Sequence, residues 1–166
     1  MLTEPVLEYR NEQPYVAVRL EVDMQEIPVA LPPLIPEVFS WLSKNNGTPA
    51  GPPFFRYLAC NSGNKFMVEV GVPVAKAVKG DDRVQGGSFP AGRYAKLTHM
   101  GSYDRLKEAH MFLETWGKEN GIQYRQNVSN GSISWGNRTE FYVNDWKEEP
   151  DPDKWQTDVL FLVAGE

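Results

Sequence analysis

One carboxylate and a set of aromatic rings are the residues of this chain whose spacing could do chemistry. Side chains alternate across an extended strand, so in the run Thr139 to Asn144 the residues Glu140 and Tyr142 share one face, and Phe141 and Val143 share the other. Phe55 and Tyr57 stand in the same i, i+2 relation in an earlier run. If Phe141 and Val143 pack against helices, Glu140 and Tyr142 look out from the opposite face. A carboxylate walled by rings could hold a cation. At an effective dielectric of ~20, a ligand cation ~4 Å away gains about 4 kcal/mol before desolvation, and a ring face adds roughly 0.5–2 kcal/mol. An uncharged planar ligand would keep the stacking and the burial. The competing reading is a strand glutamate on a solvated face, since Glu is mostly exposed, and spacing alone leaves both open.

Other rings are addressed less clearly. Five Trp, seven Tyr and eight Phe exceed what a small core needs. Trp116 lies on a helical apolar stripe, as a core residue or as a cleft wall. Tyr103 starts that helix from a loop, where its hydroxyl could reach water or a ligand. Trp41 flanks another stripe and reads as packing. Trp135, Trp146 and Trp155 lie in or beside long loops and could pack on a sheet edge or lid a cleft.

The remaining chemistries are weak. His99 and His110 are the only histidines and are not at metal spacing, so structural roles are expected and no metal or cofactor is called for. Cys60 has no activating base in view and reads as a buried thiol. There is no Gly-x-Ser-x-Gly elbow and no phosphate-binding glycine loop in Lys79 to Ser88, which reads as a surface loop.

The elements that must position these residues can be read from periodicity. Ile35, Val38, Phe39 and Leu42 are spaced for a helix over about 34–46, and Leu106, Ala109, Leu113 and Trp116 for one over about 103–120. Strand-like runs are Tyr15–Met24, Phe54–Cys60, Phe66–Val74, Gly92–Met100, Thr139–Asn144 and Thr157–Val163. The order is strand, helix, strand, strand, twice over. Lys44-Asn45-Asn46-Gly47 lines up with Lys118-Glu119-Asn120-Gly121 at a shift of 74 residues. A duplicated β-α-β-β unit follows, with repeat one over about 15–78 and repeat two over about 89–164. Joined, the two repeats make an α+β domain over 1–166, an antiparallel sheet with both helices on one face.

Composition narrows the class. Of 166 residues, 41% are hydrophobic and 23% charged, which is ordinary for one globular domain. A lone cysteine, an acidic and polar start without an apolar core, and no apolar run near the ~20 residues of a membrane span point to the cytoplasm. A net charge of −5 without a Lys/Arg cluster argues against nucleic acid as a direct partner. Exposed strand edges could pair into a homodimer.

At the level of whole motifs the chain resembles the GyrI-like small-molecule-binding family. The residues that carry the resemblance run in order from Thr48-Pro49-Ala50-Gly51-Pro52-Pro53-Phe54-Phe55-Arg56-Tyr57 and Val68-Glu69-Val70-Gly71-Val72-Pro73-Val74 through the first half. In the second half they are Phe89-Pro90-Ala91-Gly92-Arg93-Tyr94-Ala95, His99-Met100-Gly101-Ser102-Tyr103-Asp104-Arg105-Leu106, Trp116 through Gly121, Glu140-Phe141-Tyr142 and Trp155-Gln156-Thr157-Asp158-Val159. The resemblance implies two pseudo-symmetric units enclosing an aromatic cleft at their junction, with a glutamate near its floor at the position of Glu140. It implies flat, apolar, often cationic ligands. Lacking a helix-turn-helix before Val16, the chain resembles the stand-alone members.

The expected function is therefore sequestration or sensing of an amphipathic aromatic, possibly cationic, small molecule by Glu140, Tyr142, Phe55, Tyr57, Tyr103 and Trp116. Two alternatives are borrowed from the resemblance. One is hydrolysis of cyclopropanoid-type electrophiles with Glu140 as the catalytic residue, and the other is inhibition of DNA gyrase.

Overall fold

The computed structural model describes residues 1–144 and 148–165. Two strands open the chain, β1 (Val6–Arg10) and β2 (Gln13–Asp23), followed by a single helical turn α1 (Ile27–Ala30) and helix α2 (Leu34–Lys44). Strands β3 (Phe54–Cys60) and β4 (Lys65–Pro73) close the first half. The second half repeats the order with β5 (Gln85–Phe89), β6 (Gly92–Met100), α3 (Leu106–Glu119), β9 (Arg138–Tyr142) and β10 (Gln156–Leu162). A short hairpin, β7 (Gln126–Ser129) and β8 (Ser132–Trp135), precedes β9.

All strands join one sheet in the order β1-β6-β10-β9-β3-β4-β2-β5, with β8 attached to β3 and β7 to β8. The halves meet where β9 pairs antiparallel with β3, Phe55 opposite Glu140. Outward from that pair the registers run in parallel: Val70 takes the place of Val159, and Val18 that of Leu97. The first strand of each half crosses to the other, β1 onto β6 and β5 onto β2. Only Asn11 and Glu12 connect β1 to β2, so those strand ends lie within about 11 Å of each other. Across a flat sheet the six intervening spacings would separate them by about 29 Å. The sheet must therefore curl, and Pro90-Ala91 imposes the same constraint from the other edge.

Both faces of the curled sheet are buried, by different means. Helices α2 and α3 cover one face, where Val16, Val18, Val38, Leu42, Val68, Val70 and Val72 form the first cluster and Ala95, Leu97, Ala109, Leu113, Val159 and Phe161 the second. The curl closes the other face on itself, around Tyr15, Ala17, Phe54 and Phe89, with Phe141 against them. Gly71 is required there, since a Cβ would meet the Val16 carbonyl at 2.2 Å and the Phe54 ring at 2.8 Å.

The structure moves several sequence expectations. The two helices end by the same device at a shift of 75 residues. Asn45 and Asn120 side chains donate to the carbonyls of Trp41 and Trp116, and Asn46 and Gly121 take the left-handed position at φ 59° and 66°. The shift of 74 aligned Gly47 with Gly121, but either Asn or Gly tolerates that backbone, and Gly47 is one residue beyond it. The last four residues of the expected loop at 79–88 belong to strand β5, and the Asn/Ser/Gly-rich stretch before Arg138 is the β7–β8 hairpin. Its turn residues Asn130 and Gly131 both have positive φ, 52° and 79°, the two-residue turn that suits strand twist.

Candidate functional site

Five of the six expected site residues come together on the helix-covered face at the β3–β9 junction. The face is opposite to the one expected. Phe141 packs inside the curl and Val143 is exposed, while Glu140 and Tyr142 point toward the helices. The condition that Phe141 packs against a helix is not met, because the curl covers that side of β9.

Glu140 is 4% exposed and its carboxylate is the hub. Tyr142 donates its hydroxyl to Oε2 at 2.5 Å, and the Tyr57 phenol lies against the same carboxylate. His110, from α3, meets Oε1 at 2.7 Å through Nε2. Phe55, directly across the strand pair, sets its ring edge-on to Tyr142 with centroids 4.8 Å apart. Tyr103 lies 5.4 Å from Tyr142, also edge-on, and stacks on Trp155 at 4.7 Å. On the other flank Tyr57 meets Phe66, which stacks on Trp135. Two of the loop tryptophans thus border the site, whereas Trp146 lies outside the described residues. Trp116 does not join the site: it is partly buried against the second cluster with Leu2 and Tyr124, the core role open to it from the stripe.

Behind Glu140 runs a polar ladder that sequence reasoning missed. Arg138 donates Nε–H to His110 Nδ1 at 3.1 Å and Nη1–H to Glu114 at 2.7 Å. Its guanidinium is held between the Trp135 and Phe161 rings, 4.9 Å and 4.4 Å from their centroids. Guanidinium nitrogens only donate, so Nδ1 must accept and the imidazole proton resides on Nε2, where it donates to Glu140. Two spacings signalled this ladder: His110 and Glu114 are four apart on one helix, and Arg138 and Glu140 are two apart on one strand.

The electrostatics follow from these contacts. Burial raises the Glu140 carboxyl, but His110, by its hydrogen bond and by its charge when protonated, together with the Tyr142 and Tyr57 phenols, outweighs burial and holds the group below the usual carboxylate range. Burial, with the Glu140 charge beside them, pushes the Tyr57 and Tyr142 phenols well up, so both remain neutral donors. The one nearby guanidinium, Arg138, is engaged with His110 and Glu114 rather than with Glu140. The result is an ionised carboxylate contacted by two phenols and an imidazole and bordered by aromatic rings, with no guanidinium or ammonium against it among the described residues.

The rings fill the space over Glu140; Phe55, Tyr57 and Tyr142 are all buried. Two cavities lie elsewhere. One of about 500 Å³ opens at the mouth of the curl between Arg10, Phe89, Tyr94 and Phe141, and another of about 220 Å³ lies between His99 and the start of α3. Among the described residues no group of three or more His, Cys, Asp or Glu is placed to hold a metal ion, and no helix is long and apolar enough to cross a membrane.

A curled antiparallel sheet with two helices over a central junction defines an α+β small-molecule-binding architecture. The chain belongs to the GyrI-like small molecule binding domain family, whose profile matches residues 3–164. Among solved structures it is similar to the EcmrR C-terminal domain, with 22% identity over 98% of each chain and a TM-score of 0.76. It also matches EcmrR in a DNA complex, with 23% identity and a TM-score of 0.76, covering 98% of this chain and 58% of that one. SAV2435 bound to tetraphenylphosphonium shares 14% identity over 98% of this chain and 95% of that one, with a TM-score of 0.65. No protein with a curated description matches significantly.

Proposed function

We propose that this chain binds amphipathic aromatic cations over Glu140, as a protein that sequesters or senses such molecules. The observation that carries the reading is the buried carboxylate without a contacting guanidinium or ammonium among the described residues, surrounded by Phe55, Tyr57, Tyr103 and Tyr142. A buried charge costs free energy that a ligand cation would offset, and the rings add stacking and cation–π attraction. The binding of tetraphenylphosphonium by SAV2435, which has the same fold, supports this class of ligand. Entry requires the Tyr103–Trp155 stack to part from Tyr142; Tyr103 opens a 3-10 turn before α3, and Trp155 joins a 3-10 turn to β10. A net charge of −5 favours a cationic small molecule over nucleic acid as the partner. The depressed carboxyl favours binding over hydrolysis, because a carboxylate that holds its proton weakly is a poor general base.

Titration with tetraphenylphosphonium, followed by tryptophan fluorescence, tests the reading. Saturable quenching is expected through Trp155 and Trp135, with affinity lost in Glu140→Gln. Equal affinity in wild type and Glu140→Gln would remove the carboxylate from the function.

A further inference from the structure

Three buried polar atoms near the site have no partner among the described residues: Trp135 Nε1, His99 Nδ1 and Thr157 Oγ1. The last two belong together. Thr157 pairs with Tyr142 across β10–β9 and with His99 across β10–β6, so Tyr142, Thr157 and His99 form one row on the helix-covered face. His99 is 3% exposed and Thr157 0%. Buried hydroxyls and imidazoles are nearly always hydrogen-bonded, so two orphans side by side are an exception that calls for an explanation. His99 also lines the cavity of about 220 Å³ closed by Leu2, Arg105 and Glu108 at the start of α3.

We propose that the ligand cleft continues along this row and that His99 and Thr157 form a polar subsite for a neutral hydrogen-bonding group of the ligand, a hydroxyl or carboxamide. The inference rests on the reading of Glu140 as the cation anchor and narrows the ligand class. With strands about 4.8 Å apart and about 3.4 Å per residue along them, Thr157 and His99 lie about 8 Å and 12 Å from the Glu140 position. The ligand so defined is an elongated aromatic cation with a hydroxyl or amide roughly 8–12 Å from its charged centre. The orphan pair suits such a group chemically. A threonine hydroxyl both donates and accepts, and an imidazole nitrogen does one or the other according to tautomer. Burial pushes His99 below the usual histidine range, so the imidazole is uncharged and does not repel the cation. Seen from the site, Tyr103 and Trp155 cover the anchor end and the His99 cavity provides room at the polar end.

The test compares two probes that differ in one group: the (biphenyl-4-yl)methyl-trimethylammonium ion and its 4′-hydroxy derivative. Calorimetric titration of the full chain should show the hydroxylated probe binding about 10-fold more tightly, the effect of one buried hydrogen bond between otherwise orphaned partners. Thr157→Val and His99→Phe, each checked for an unchanged melting transition, should reduce that preference to less than about 3-fold. If wild type binds both probes equally, the subsite is wrong and His99 and Thr157 hold only water, while the anchor reading stands as long as Glu140→Gln weakens both. If neither probe binds wild type, the anchor reading fails and the subsite with it. A preference that persists in both variants would overturn the assignment to these two residues.

Discussion

Two glutamates are buried in this sheet, one on each face, and their surroundings differ in a way that separates structure from function. Glu69, in β4 on the curled face, accepts the Tyr15 hydroxyl at 2.5 Å and pairs with Arg19 at 3.4 Å, and its cross-strand neighbour Arg56 bonds the same Tyr15 hydroxyl. Glu140 accepts the Tyr142 hydroxyl at the same 2.5 Å, yet the guanidinium nearest to it is turned away to His110 and Glu114. Burial and a tyrosine partner are common to both. A guanidinium partner, among the described residues, is not. A carboxylate already paired with a guanidinium has no call for a ligand, whereas one met by phenols and an imidazole is open to a ligand cation. The same asymmetry appears between the two halves. At the positions of the first half that correspond to Glu140, His110 and Glu114 stand Phe55, Ile35 and Phe39, so the polar ladder exists in one repeat only, and Tyr57 and Tyr142 are the matched pair that both repeats contribute.

The comparison breaks most visibly under a paired substitution. Glu140→Gln should lower the affinity for the phosphonium probe about 100-fold, which is most of the ~4 kcal/mol Coulomb gain after desolvation. Glu69→Gln should leave that affinity within about 2-fold while lowering stability to urea by about 1–3 kcal/mol, the cost of a disrupted buried hydrogen-bonded charge. Comparable affinity losses in the two variants would erase the distinction. Next in size is Arg138→Leu. It removes the donor that fixes the His110 ring through Nδ1 and leaves Glu114 without its partner, so the imidazole that meets Glu140 loses its orientation. Affinity for the phosphonium probe should fall about 10-fold in the same fluorescence titration, the effect of one disrupted buried hydrogen-bonded contact.

Much of this was legible in the sequence because it depends on period. Strand alternation put Glu140 with Tyr142 and Phe55 with Tyr57, and the helical stripe placed Leu106, Ala109 and Leu113 in the core. Which face the glutamate occupies was not legible. Alternation says that two sets of residues part, and only the crossing of β1 and β5 to opposite halves, a long-range pairing, decides that the Phe141 side is sealed by the curl. The missed strand β5 shows the same limit: Gln85-Gly86-Gly87-Ser88 has poor strand propensity and is a strand because β2 offers an edge. His110 was legible as a buried histidine but not as a ladder member, since its partners Arg138 and Glu140 lie 28 and 30 residues away.

The finest distinction lies in how Glu140 stays ionised. A carboxyl held below its ordinary value of 4.5 gives an anchor that is fully charged above that pH and lost only as pH falls through the lower folded value. Cation affinity in wild type should therefore be flat from pH 8 to about 5 and decline below that. Tyr142→Phe removes one of the donors that favour the charged form while leaving the burial that opposes it. The carboxyl then rises, and the affinity should begin to fall at a higher pH than in wild type, with a change of only about 2- to 5-fold at pH 7. Tyr15→Phe, the matching change beside Glu69, should leave the probe's pH profile untouched, because Arg19 continues to compensate that carboxylate and the opposite face does not meet the ligand. A Tyr142→Phe profile superimposable on wild type would mean that His110 and Tyr57 alone keep Glu140 ionised, and the tyrosine would then belong to the cleft only as a ring.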